Sequence, residues 1–154
     1  MTMALDILSI LDKATSHASA SGYFEFVNGH EPISAPSTGG LTAAVWVDRV
    51  VPVRSSGLAS TSALLVLKNR LFTVAQREPI DAIDPEMVAA ADALCATYVG
   101  DFTLGGLVRQ VDVRGIHGQP LEVRAGYIQQ DGTRYRVMDI TVPCIVNDLW
   151  EEVA

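Results

Sequence analysis

Ala125-Gly-Tyr-Ile-Gln-Gln-Asp-Gly-Thr-Arg-Tyr-Arg-Val-Met-Asp-Ile-Thr-Val-Pro-Cys-Ile-Val-Asn-Asp-Leu-Trp150 is the stretch on which the fold turns. Segments of strand character flank Asp131-Gly132. A two-residue loop that needs positive φ at both positions favours this dipeptide. The run therefore predicts a β-hairpin, 121–130 against 133–146, with a long second arm. It holds no catalytic group that could not equally be a surface residue. A chain that places its most regular segment in backbone pairing reads as a building block before it reads as a catalyst.

Upstream of the hairpin, Leu107 to Arg114 alternates Val108, Gln110, Asp112 and Arg114 against Leu107, Arg109, Val111 and Val113, a further strand pattern. Gly115 to Pro120 reads as a turn, and so does Gly105-Gly106. Leu41 to Val53 and Ala63 to Ala75 are two more strand patterns, the first apolar on both faces, as a strand covered on two sides would be. Pro52 cannot donate to a ladder and belongs at a strand end or an edge. Between them Arg54 to Ser62 is flexible by composition, so 41–75 predicts a long hairpin with a loop larger than a tight turn requires. Long loops of small polar residues are disordered or serve to dock. Tyr23 to Val27 is a short strand pattern, Asn28-Gly29 can turn the chain, and 31–40 is a loop.

Two segments carry helical periodicity. Over 4–18, Ile7, Leu11, Ala14 and Ala18 share one face, widened by Leu5 and Leu8, and Gly22 ends the pattern. The second begins at Asp84-Pro85, with Asp84 as the expected cap and Pro85 at the first helical position. Its stripe is Met87, Ala91, Leu94, Cys95 and Tyr98, and Gly100 is the expected residue just past its end. The order is helix, strands, helix, strands. This predicts an α+β domain over 1–154, two helices packed on a mainly antiparallel or mixed sheet.

The 154 residues are 49% apolar and 19% charged, a globular composition. No apolar run approaches the roughly 20 residues that span a bilayer, and no basic n-region opens the chain. Membrane partners and a signal peptide are not expected. Eighteen acids against eleven bases leave a formal charge of −7. Such a surface does not bind nucleic acid by neutralising phosphates. Cys95 and Cys144 each lie among apolar neighbours and read as buried free thiols, which suits a reducing, cytoplasmic setting.

His17, His30 and His117 stand far apart and none is spaced from a Cys or another His as metal ligands are. There is no Gly-x-Ser-x-Gly elbow, phosphate loop or dinucleotide fingerprint. No catalytic residue, cofactor or metal is therefore expected. Asp81 and Asp84 could be imagined as an acid/base pair, but the helix lead-in accounts for both. Arg134 and Arg136 share a strand face, either as solvated surface or as one half of an intersubunit salt bridge.

Charge is segregated along the chain. From Glu78 to Asp101 there are six acids and no Lys or Arg, and from Arg109 to Arg136 five bases and three acids. This is either an accident of surface composition or the mark of complementary faces on neighbouring copies, since a head-to-tail ring needs two different patches that fit.

Three successions resemble the tail terminator proteins of long-tailed, siphovirus-type actinobacteriophages: Thr61-Ser-Ala-Leu-Leu-Val-Leu-Lys-Asn-Arg-Leu-Phe-Thr73, Glu78-Pro-Ile-Asp-Ala-Ile-Asp-Pro-Glu-Met87 and Tyr98-Val-Gly-Asp-Phe-Thr-Leu-Gly-Gly106. The closing Ala125-Gly-Tyr, Asp131-Gly, Tyr135-Arg-Val-Met, Val142-Pro and Val146-Asn-Asp148 resemble them too. The likeness covers roughly residues 20–150 in order and spacing, and no single motif in it is chemical. It implies a small α+β subunit, not an enzyme, that assembles as a hexameric ring at the head-proximal end of the virion tail and is made in the host cytoplasm. The ring would cap the tube of major tail tube protein, stop its polymerisation and present a joining surface to the head–tail connector protein, with DNA only passing through the lumen. An acidic lumen would not grip that DNA. Arg54, Ser55, Ser56, Gly57, Leu58, Ala59, Ser60 and Thr61 are the expected tube or connector contact. Asp81 and Asp84 facing Arg109 or Arg114 of a neighbour are the expected intersubunit contacts. Tail completion, head closure, or a small ligand-binding or enzymatic domain are the alternatives.

Overall fold

The computed structural model describes residues 5–32, 40–53 and 60–151. Two helices pack on one mixed sheet, an α+β architecture. The chain runs α1 (Ile7–Ala20), β1 (Phe26–Asn28), β2 (Thr42–Pro52), β3 (Ser60–Val74), α2 (Ile83–Gly100), β4 (Gln110–Val111), β5 (Glu122–Gln130) and β6 (Thr133–Glu151). The sheet order is β1-β2-β3-β6-β4, and β5 also pairs with β6. Since β3 holds one side of β6, β5 and β4 share the other, β5 against Thr133–Thr141 and β4 against Cys144 and Ile145.

The hairpin that opens the sequence reading is present with its predicted turn. Asp131 has φ 51° and Gly132 φ 78°, both in the left-handed region, and Gln130 lies opposite Thr133. β6 is longer than expected, running past Val146 to Glu151, because β3 continues beside it as far as Ser60. The 41–75 hairpin is also present, Thr42 facing Phe72 and Pro52 facing Ala63. Pro52 ends its strand. Thr42 to Val45 are buried on both faces, whereas Asp48 to Val50 are exposed.

The helical face of the sheet holds the main core. Leu65, Leu67 and Leu71 of β3 and Met138, Ile140 and Val142 of β6 meet Met87, Ala91, Leu94 and Tyr98 of α2 there. α1 lies over β1 and β2 and buries Ile10, Ala14 and Ala18. Each fully buried Leu, Ile or Met contributes roughly 1.5–3 kcal/mol relative to exposure. On the opposite face, Phe72 and Tyr135 meet edge to face at 6.0 Å within one small cluster, and Val53, Leu64, Val66 and Ile145 form another.

Several expectations are corrected. α1 starts at Ile7, with Asp6 as its cap accepting from the Ser9 N–H at 3.3 Å, and its inner face is built on Ile10 while Leu8 points to solvent. The 23–27 strand reduces to Phe26–Asn28, and it runs parallel to β2, which makes the sheet mixed. α2 begins one residue before Asp84, after a 3-10 turn at Ile80–Ala82, and its N-cap is Ala82, with no side-chain cap. Asp84 and Pro85 therefore sit inside the first turn. Gly100 is the last helical residue and Asp101 the C-cap. The left-handed residues come later, at Leu104, Gly105 and Gly106.

The expected strand 107–114 is only two residues long. The cause is Asp112. It is 2% exposed, and its carboxylate accepts from the N–H groups of Ile116 and His117 at 3.0 and 2.9 Å. A side chain that captures backbone donors four and five residues ahead folds the chain into a turn instead of a ladder.

Candidate functional site

An alternating strand offers one row of side chains to each face of its sheet. On β5, Val123, Ala125 and Tyr127 lie opposite Ile140, Met138 and Arg136, so that row shares the helical face. α2 covers β3 and β6 there, but not the β5 row. Val123 stays 43% and Tyr127 53% exposed. Between helix and strand runs an open groove of about 420 Å³, walled by Val88, Ala91 and Cys95 on α2 and by Val123, Ala125 and Met138 on the sheet. Asp92 adds one charge to this otherwise apolar wall. Among the described residues β5 pairs with β6 alone. Among those residues no strand lies along its outer edge, and an open strand edge is the arrangement that templates addition of another chain.

At the turn end of the hairpin the groove gives way to a cluster of charge. Arg136 donates from Nε to Asp84 Oδ1 at 3.0 Å, from Nη2 to Asp84 Oδ2 at 3.3 Å, and from Nη1 to the Gly126 carbonyl at 3.3 Å. The hydrogen bond to Asp84 raises the Arg136 pKa above the ordinary arginine value. The guanidinium carbons of Arg136 and Arg134 lie 4.6 and 4.1 Å from the Tyr127 ring centroid, so the ring is stacked by both cations. Arg77 pairs with Glu86, two residues beyond Asp84 along α2.

A second cluster ties the helices together. His17 Nε2 lies 2.8 Å from Asp101 Oδ2, and the Asp101 carboxylate accepts the Gly105 N–H at 3.0 Å. That backbone bond, followed by His17, holds Asp101 below the usual carboxylate range. Tyr98 donates to the Ala14 carbonyl at 3.5 Å and accepts from Asn69 Nδ2 at 2.9 Å. Burial pushes the Tyr98 hydroxyl well above its ordinary value, and burial pushes the Cys144 thiol to about 12. Burial, then the charge of Asp92, raises Cys95 as well. Both cysteines are free, Cys144 buried and Cys95 half-buried. A thiol held above its normal pKa carries little thiolate and is a poor nucleophile. Among the described residues no three His, Cys, Asp or Glu side chains gather as metal ligands would.

The residues singled out from sequence fall into three places. Arg54 to Ala59 lie outside the described residues, while Ser60 and Thr61 open β3 opposite Glu151 and Trp150. Ser60 Oγ donates to Asp148 at 2.7 Å. Asp81 is exposed in the 3-10 turn, beside Asp84. Arg109 and Arg114 are exposed on either side of β4, Arg109 reaching Asn147 at 3.5 Å. Arg136 and Ile145, the β6 positions nearest the two groups, are nine residues apart, roughly 30 Å of strand. The acids and Arg109 or Arg114 therefore stand at opposite ends of β6 and do not meet within one chain.

Sequence reading missed the Tyr127 stack and the part β5 plays in the groove wall. The alternation of Val123, Ala125 and Tyr127 was the available signal, but it says only that a row faces one side, not whether a helix covers it.

Two solved structures share a general likeness with this one. One is a chain in the virion of a native gene transfer agent particle, 14% identical with a TM-score of 0.39, the match covering 89% of this chain and 90% of that chain. The other is a PVC sheath/tube terminator of an extracellular contractile injection system in the extended state, 11% identical with a TM-score of 0.40. That match covers 99% of this chain but 62% of the other, so this chain spans less than two thirds of its length. No family model and no curated protein matches the chain.

Proposed function

We propose that this chain is a ring-forming tail terminator, a structural subunit that occupies the exposed end of a tail tube and stops its growth. The observation that carries the reading is that, among the described residues, β5 has no strand on its outer edge and borders an uncovered apolar row. Such an edge is a liability unless another chain covers it, and an assembling subunit is where it has a use. The resemblance of 61–73, 78–87, 98–106 and 125–148 to tail terminators narrows the kind of assembly. The mechanism is steric: the bound ring covers the surfaces to which the next tube subunit would pair, and its other side is left for the head connector. DNA passes through the ring without being gripped, because the chain is acidic overall. The segment 54–61 is the proposed contact with tube or connector. Asp81, Arg109 and Arg114 are exposed charges available to a neighbouring copy, while Asp84 is already held by Arg136.

An infection lacking this protein tests the reading. Overlong tails without heads are the expected phenotype. Filled heads that leak their DNA would replace it with a head-closure role, and tails of normal length joined to heads would refute both. The groove also favours a second reading, a small apolar ligand held between α2 and β5. A ligand that raises the melting point of a protein monomeric at all concentrations would support that one instead.

A further inference from the structure

Large exposed apolar side chains lie at both lateral ends of the sheet, besides others such as Ile80, Phe102 and Ile116 on the connecting segments. At one end are Leu8 of α1, 75% exposed, and Phe26 of β1. At the other are Val123 and Tyr127 of β5 with Val88 and Val99 of α2. Charge divides the same way. Residues 5–28 carry exposed Asp6, Asp12 and Glu25 against one base, Lys13, whose side chain runs over Gly105. Leu8 and Asp12, four residues apart, share a stripe of α1. The β5/β4 flank carries exposed Arg109, Arg114, Arg124 and Arg134 against exposed Asp131 and against Glu122, the latter 3.7 Å from Arg124.

Strand direction agrees with joining the two ends. β1 runs parallel to β2, β2 antiparallel to β3, β3 to β6 and β6 to β5. β5 and β1 therefore run in opposite senses. A rotation axis parallel to the strands leaves strand sense unchanged from copy to copy. Bringing β5 of one copy beside β1 of the next then makes an antiparallel junction, the commoner kind.

We propose that the acidic α1/β1 end of one copy docks on the basic β5/β4 flank of the next, with Leu8 entering the groove beside α2 and β5. This rests on the ring-forming reading and gives Arg109 and Arg114 a different partner, the acids of residues 5–28 instead of Asp81 and Asp84. The contact is heterologous, two unlike patches that fit, so it repeats from copy to copy instead of stopping at a pair and closes a ring where the rotation closes.

Two surface variants test it. Arg124→Glu with Arg134→Glu reverses the flank, and Asp12→Lys with Glu25→Lys reverses the other end. Each variant alone juxtaposes like charges and should weaken assembly at least about tenfold by light scattering and native mass spectrometry. Mixed one to one they should co-assemble near the wild-type midpoint, because every acidic end again meets a basic one. Restoration on mixing also shows that both variants fold. Variants that assemble like wild type, a mixture that stays apart, or a wild type that remains monomeric at its highest soluble concentration each overturn the junction. The tail phenotype is scored separately, so normal tail length control with an altered junction would leave the terminator reading standing.

Discussion

Arg136 on β6 grips Asp84 in the first turn of α2 through two parallel hydrogen bonds, at 3.0 and 3.3 Å. The pair joins the acidic stretch of the chain to its basic stretch, and Arg77, just ahead of the acidic stretch, pairs with Glu86 nearby. Part of the charge segregation along the sequence is thus matched inside one subunit. An acid in the first turn also complements the helix dipole, so Asp84 favours α2 twice over without capping it.

Asp84 is 58% exposed at its side chain, and water screens such a pair. A double-mutant cycle with Asp84→Ala and Arg136→Ala should therefore give a coupling of only about 0.5–1 kcal/mol in urea unfolding. Arg136→Ala alone should cost more than Asp84→Ala, because it also removes the stack on Tyr127.

Asn69 is fully buried, and its Oδ1 has no hydrogen-bond partner among the described residues. Its Nδ2 depends on the Tyr98 hydroxyl. Tyr98→Phe leaves that donor unsatisfied as well and should destabilise by about 1–3 kcal/mol. Combining it with Asn69→Leu should recover most of the loss, since an apolar pair leaves no buried polar group unpaired. Chemical denaturation of the two singles and the double decides this, and strictly additive losses would contradict it.

Asp101 is held below the ordinary carboxylate range, first by the Gly105 N–H and then by His17. A depressed native pKa means the unfolded chain takes up this proton first as pH falls. The group stabilises the fold above the ordinary aspartate value of about 3.9, and that contribution drains as pH drops from there through the lower native value. Asp101→Asn should lower stability at neutral pH and flatten the loss below about pH 4. Thermal melts across an acid series measure both effects.

Gly132 has φ 78° with nothing within 4 Å of an added Cβ. Gly132→Ala is therefore penalised by backbone strain alone, about 1–2 kcal/mol, whereas crowding contributes nothing. Gly132→Asn, a residue that tolerates the left-handed region, should cost clearly less in the same melts.

With its pKa near 12, Cys144 should resist iodoacetamide in the native state at neutral pH. Cys95, half-buried in the groove wall and also raised, should label slowly. Both should react at once in denaturant. Rapid native labelling of Cys144 would mean that the β6 ladder opens locally.

Local chemistry was enough to reveal the Asp131-Gly132 hairpin, the long 41–75 hairpin, two helices and an α+β class. Positive-φ turn residues, two-residue alternation and helical spacing act over a few residues and leave their mark in order. Periodicity placed Met87, Ala91, Leu94 and Tyr98 on the buried stripe of α2 for the same reason. It failed at 107–114, where alternation predicts a strand and the buried carboxylate of Asp112 makes a turn. It failed at Asp84 too, where a good capping residue is instead drawn into a bond with Arg136, fifty-two positions away. Sequence by itself determined which segments are strands or helices and that charge is unevenly spread. Only the tertiary structure decided that β5 is an edge, that α2 stops short of covering it, and which charges are already matched, because those depend on the packing of segments distant in the chain and no local pattern encodes them.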